Sequence, residues 1–157
     1  MRYVILLALG ICLLSGTPAV ACFGPKLFVA TDGGARQQLL SAVVTIYLQE
    51  KTGIESNLVT IPPGGGQQAL QEDRVDLVFS PDEMVGATRV FKVEALSSLF
   101  SGPRPLEELQ FSLVVPALKK LQGLLQPEQV RRLIGRVESG APPLATARRF
   151  LQKQGWI

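Results

Sequence analysis

The sequence predicts an α/β fold: a mostly parallel sheet flanked by helices, with a helical C-terminal segment. Three observations predict it. Residues 27–79 alternate short β-rich runs with stretches of helical spacing. Both strand-to-helix turns in that block contain glycine, at Gly33-Gly34 and at Gly64-Gly65-Gly66. Beyond Pro116 every apolar pattern has the helical period. Strands that alternate with helices imply right-handed crossovers and parallel neighbours. Ligands of such sheets bind at the carboxyl ends of the strands, where helix N-termini point, and the glycine turns fall there.

Leu27-Phe28-Val29-Ala30 is a short apolar run stopped by Thr31-Asp32-Gly33-Gly34. Ala35 to Thr52 carries Leu39, Val43, Ile46 and Tyr47 at helical spacing, with Leu40, Val44 and Leu48 beside them. Gly53 closes that helix, since glycine takes the left-handed position without a Cβ penalty. Asn57 to Ile61 is β-rich and ends at Pro62-Pro63. A second, short helix is predicted over Gln67 to Glu72, and a third strand over Val75 to Phe79. Thr88 to Val93 alternates weakly and reads as a fourth strand. Ser101-Gly102-Pro103-Arg104-Pro105 reads as a linker.

After the linker, Leu113-Val114-Val115 precedes Pro116, which suits a first helical position. Leu118, Leu121, Leu124 and Leu125 mark one apolar face. Pro127 opens another helix with Val130, Leu133, Ile134 and Val137 on one side. Residues 139–143 form a turn. A last helix is expected from Pro143 to Gln154, burying Leu144, Ala147, Phe150 and Leu151. Gly155 caps it and Trp156 folds back on its last turn.

The N-terminus reads as a secretory signal over residues 1–21. Arg2 supplies the positive region, Val4 to Leu14 the apolar region, and Ala19-Val20-Ala21 the small-residue cleavage site. The apolar run is shorter than the ~20 residues a membrane-spanning helix needs. Cleavage removes Cys12 and leaves Cys22 as the first residue, so no internal disulfide forms. Cys22 is then either the lipid-bearing cysteine of a bacterial lipoprotein or the end of a free chain. The expected location is the bacterial periplasm, soluble or lipid-anchored. Residues 22–157 are long enough for one domain, here divided into an α/β core over 22–100 and a helical segment over 106–157.

Charge is uneven. Residues 22–112 hold 7 basic and 11 acidic residues, and residues 113–157 hold 8 basic and 2 acidic. The basic positions Lys119, Lys120, Arg131, Arg132, Arg148 and Arg149 fall on polar helix faces without interleaved aromatics. They read as solvated faces or as contacts to an anionic membrane surface, and nucleic acid is not an expected partner.

Histidine is absent, which removes the commonest general base and metal ligand. Glu72, Asp73, Asp76, Asp82 and Glu83 flank the third strand and read as helix-end and loop residues in water, with a cation site or carboxylate pair as the alternative. The Gly64 triplet lacks the Lys-Ser/Thr of a P-loop. No enzyme, metal or cofactor is expected. The candidate ligand contacts are Thr31, Asp32, Gly33, Gly34, Gly64, Gly65, Gly66, Gln67 and Asp82. Unpaired N–H groups at helix starts suit a carboxylate, and glycine permits close approach. The alternative is that both turns need only glycine's flexibility. Gly65→Val is expected to abolish binding with the fold nearly intact.

Two blocks carry a resemblance. The first is Glu50-Lys51-Thr52-Gly53, Gly64-Gly65-Gly66, Ala69-Leu70 and Asp73-Arg74-Val75-Asp76-Leu77. The second is Ala117-Leu118 through Leu121, Gln126 to Arg131, and Ala147 through Gly155. Together they resemble the two ends of periplasmic substrate-binding proteins, in the glycine betaine/choline (quaternary amine) ABC transporter family. The resemblance covers roughly 27–83 and 113–157. It implies a clamshell fold that binds a small polar solute, an amine or zwitterion, for an ABC permease; only about thirty residues separate the two blocks, so the chain is expected to hold one lobe and to lack most of the second. Where the family carries Pro-Glu-Tyr-Thr-Gly, this chain has Pro81-Asp82-Glu83-Met84-Val85-Gly86, so the tyrosine that would face a quaternary ammonium is absent. A one-lobe accessory or protein-binding module without solute capture is the competing expectation. For solute capture, a second copy or a partner protein would supply the missing wall of the cleft.

Overall fold

Five strands and six helices make up residues 24–157, the part of the chain described by a computed structural model. The expected signal sequence, its expected cleavage site and Cys22 lie outside the described residues. The elements are β1 (Lys26–Thr31), α1 (Ala35–Thr52), β2 (Glu55–Thr60), α2 (Gly66–Gln71), β3 (Leu77–Ser80), β4 (Thr88–Val93), β5 (Ser97–Ser101), α3 (Arg104–Glu107), a 3-10 turn (Leu109–Phe111), α4 (Val114–Leu124), α5 (Pro127–Glu138) and α6 (Pro143–Lys153). They form one mixed α/β domain around an open five-stranded sheet of order β2-β1-β3-β5-β4. β1 runs parallel to β2 and β3, whereas β5 is antiparallel to both β3 and β4. Four strands therefore point one way and β5 alone is reversed.

Strand β5 was not legible. Ser97-Ser98-Leu99-Phe100-Ser101 has three serines, and the sequence placed its end in a linker. All five residues are buried between β3 and β4. Burial and cross-strand pairing override weak strand propensity at an interior position. The linker reading fails as well. Ser101 ends a strand, Pro105 is buried, and the Gly102 N–H donates to the Asp76 carbonyl at 2.9 Å.

The sheet buries a different cluster on each face. Leu27, Val29, Leu77, Phe79, Phe91 and Leu99 pack toward α1. Ala30, Val78 and Phe100 pack with Ala69 and Leu70 of α2 and with Met84 of the loop between β3 and β4. Helix α1 is buried without a break from Leu39 to Leu48, because α4, α5 and α6 cover the side that the sheet does not. A helix enclosed on all sides needs no polar stripe. Gly53 ends it at φ 71°, its N–H donating to the Gln49 carbonyl at 3.0 Å.

Several boundaries move. β3 starts at Leu77 rather than Val75, and α4 starts at Val114, which makes Pro116 its third residue. The first four N–H groups of a helix have no partner within it, so proline costs nothing there. Leu144 is exposed rather than buried, near the start of α6 on its outer side. The end of α6 is as expected. Gly155 has φ 68°, the Trp156 N–H donates to the Leu151 carbonyl at 3.0 Å, and the Trp156 ring meets Phe150 edge-on at 5.2 Å. Among the described residues no helix is long and apolar enough to cross a membrane.

One polar group joins the layers. Asp76 is 3% exposed, not in water as the sequence suggested. Its Oδ2 accepts the Phe28 N–H at 2.8 Å, and its Oδ1 accepts Arg104 Nη1 at 2.9 Å. The Arg104 guanidinium lies 5.2 Å from the Phe111 ring centre. The amino ends of β1 and β3 are thus tied to the segment that leads from β5 into the helical layer. Burial raises the Asp76 carboxyl above its ordinary range, opposed by the Phe28 N–H and by Arg104.

Candidate functional site

The chain leaves the carboxyl end of β1 toward β2 on one side, and β3 pairs on the other. This change of direction makes the β1/β3 gap the topological switch point of the sheet, the usual position of a ligand crevice. Helix α1, 18 residues long, begins there. The turn before it is tightly organised. Gly33 has φ 84°, and the Asp32 carboxylate accepts the Gly34 N–H at 2.9 Å. Gln37 lies across the gap. Its Oε1 accepts the Asp32 N–H, and its Nε2 donates to the Phe79 carbonyl at 2.8 Å. Arg36 reaches outward from the same turn and donates to the Leu96 carbonyl of the β4–β5 turn at 3.2 Å.

Arg36 and Gln37 were missed by the sequence reading. Their signal was their place in the first turn of a helix that starts at a switch point. Asp32 supplies negative charge here. Arg36 and the open α1 amides supply positive potential. The two signs stand on either side of the start of α1, Asp32 before it and Arg36 in its first turn.

The other expected contacts are dispersed. Gly64 and Gly65 line a cavity of about 310 Å³ with Pro62, Pro63, Gln68 and Arg74. Gln67 lines a separate cavity of about 150 Å³ against Gly86 and Pro103. Gly66 is packed into the core, where a Cβ would lie 3.2 Å from the side chains of Val78 and Met84. Asp82 is exposed, and its N–H donates to Ser80 Oγ at 3.1 Å. The two glycine turns are neighbours, because the Ile61 N–H donates to the Thr31 carbonyl at 2.9 Å. They share no cavity.

Two expectations about these turns change. Helix α2 has only six residues, so its N-terminal field is much weaker than that of α1. A Cβ on Gly65 would sit 3.1 Å from the Pro62 carbonyl oxygen, so Gly65→Val disturbs the turn itself and is a poor probe of binding. Thr31 is 8% exposed and its Oγ1 is buried without a hydrogen-bond partner among the described residues. The described residues contain no group of three or more metal-ligating side chains.

No family model matches this chain, and no curated protein matches it. Among solved structures, the crystal structure of a mutant of full-length BenM is similar over 53% of this chain and 28% of that one, with 21% identity and a TM-score of 0.32. The match therefore spans less than a third of BenM.

Proposed function

We propose that this chain is the solute-binding lobe of an extracytoplasmic ABC-type import system, and that it holds a small zwitterion or amine at the carboxyl edge of β1 and β3. The observation that carries the reading is the switch point between β1 and β3, with an 18-residue helix opening onto it and Asp32 and Arg36 beside it. The ligand carboxylate lies against the first amides of α1 and Arg36, and its ammonium group lies against Asp32. The sequence resemblance to the glycine betaine/choline family supports the same class of solute. The missing tyrosine favours a primary amine or amino acid over a quaternary ammonium, which aromatic faces bind best.

A thermal-shift panel of amino acids, glycine betaine, choline and simple carboxylates tests this. A true ligand stabilises by RT ln(1 + [L]/Kd), about 2.7 kcal/mol at a hundredfold excess over Kd. Arg36→Gln and Asp32→Asn should each reduce that shift. A panel without any concentration-dependent shift overturns the proposal.

A protein-binding module is the second reading, favoured by one observation. Leu106, Leu109 and Leu113 are exposed at 39%, 90% and 58%, at near-helical spacing along one short segment. Co-purification of a stoichiometric protein with the exported chain, together with a silent solute panel, would select this reading.

A further inference from the structure

Helices α5 and α6 enclose a groove of about 860 Å³ that contains none of the switch-point residues. Four cations line it, Arg132 and Arg136 from α5 and Arg149 and Lys153 from α6, and no carboxylate does. Each pair has i,i+4 spacing, which places its two members on one face of their helix. The groove is thus bordered by two facing rows of positive charge. Among the described residues none of the four has a carboxylate within ion-pair distance, whereas neighbouring Arg131 pairs with Glu128 and Arg148 with Glu50. Like charges at this spacing repel, and a bound anion would relieve that repulsion at both rows together. Leu133 and Phe150 form the apolar floor.

We infer that this groove binds a compact polyanion, a small organic molecule bearing two or more phosphate or carboxylate groups. The volume lies in the range of small-molecule pockets, about 300–1,000 Å³. Guanidinium groups suit the planar oxygen pairs of both anion types. The concave shape is wrong for a flat lipid surface. Single-stranded nucleic acid needs aromatic stacking platforms, and the lining aromatic, Phe150, is buried and meets Trp156 edge-on.

The test is calorimetric titration of the full mature protein with tripolyphosphate and with citrate at low ionic strength. The expected result is a single saturable site for at least one of them. Tripolyphosphate alone assigns phosphate esters, and citrate alone assigns polycarboxylates. Arg136→Gln combined with Arg149→Gln should weaken binding by about a hundredfold, roughly tenfold for each charge-assisted pair lost. Both positions are exposed, and an unchanged urea midpoint confirms that the variant is folded. Asp32→Asn should leave the titration unchanged, which separates this site from the switch point. Three results overturn the inference: no saturable binding of either probe, an equal loss from Lys119→Gln with Lys120→Gln, or binding to phosphatidylglycerol vesicles that tripolyphosphate does not displace.

Discussion

Replacing Arg104 with methionine should destabilise the protein in a pH-dependent way. The substitution keeps much of the side-chain volume and removes the cation. Asp76 is 3% exposed and keeps one donor, the Phe28 N–H at 2.8 Å. Taking an ion out of water costs several kcal/mol unless it is paired. The chain can escape that cost by protonating Asp76 instead, which sets a ceiling. Holding a carboxyl protonated at pH 7 against an unfolded value of 3.8 costs about 4 kcal/mol, at 1.36 kcal/mol per unit. The sign follows from the direction of the shift. Burial already raises the Asp76 pKa, and loss of Arg104 raises it further. A raised carboxyl favours folding fully below its unfolded value, and that favour is lost as pH rises through the folded value. Because the carboxyl is already raised with Arg104 in place, part of that cost is present before the substitution, and the variant should lose about 2–3 kcal/mol at pH 7 and much less near pH 4. A pH-independent remainder of about 1 kcal/mol reflects the lost contact between Arg104 and Phe111. Urea unfolding of both proteins at pH 7 and pH 4 measures it. An equal loss at the two pH values, or less than about 1 kcal/mol at pH 7, would refute the assignment of Asp76 as a buried charge held by Arg104.

Other substitutions probe the frame around the site. Gly53→Ala forces a Cβ into the left-handed region at φ 71° and should cost about 1–2 kcal/mol in urea unfolding. Gly66→Val pushes into Val78 and Met84, where even a Cβ would lie 3.2 Å away, and should cost about 1–3 kcal/mol. Trp156→Ala removes the edge-on contact to Phe150 and should lower stability by about 1–3 kcal/mol, measured by far-UV circular dichroism.

The strand-helix alternation up to β3 was legible because each element there carries its own local signal. β1 is apolar, α1 has repeated leucines and valines, and glycine or proline separates the elements. The signal failed where tertiary packing decides. β5 is a strand because β3 and β4 flank it, not because serine favours strands. Asp76 looked like a surface carboxylate because its partner, Arg104, lies 28 residues away inside a stretch rich in proline and glycine. Leu144 was assigned to the core from helical spacing, but spacing gives a face without saying what covers it. The glycine turns follow the carboxyl ends of β1 and β2, as their order in the sequence implied. Their union into one site was not supported, since α2 is short and Gly66 serves packing. The residues that span the switch point, Arg36 and Gln37, have no motif. They became visible only when β3 was seen to pair with β1.

The two readings of function can be separated by geometry. The exposed leucines follow Arg104, whose guanidinium lies near the Lys26 carbonyl and on Asp76, at the amino ends of β1 and β3. The candidate solute site lies at the opposite ends of the same strands. A partner seated on Leu106, Leu109 and Leu113 therefore cannot serve as the second wall of the solute cleft. A good pocket buries about 70–90% of its ligand, so a solute held by this domain alone would bind weakly unless a different surface closed over Thr31 and Asp32. Leu109→Asp, at a position 90% exposed, should change stability by less than about 0.5 kcal/mol. It should abolish any association through the leucines and leave every solute-induced thermal shift unchanged. Loss of the solute shift in that variant, with the fold intact, would show that the two edges act as one site.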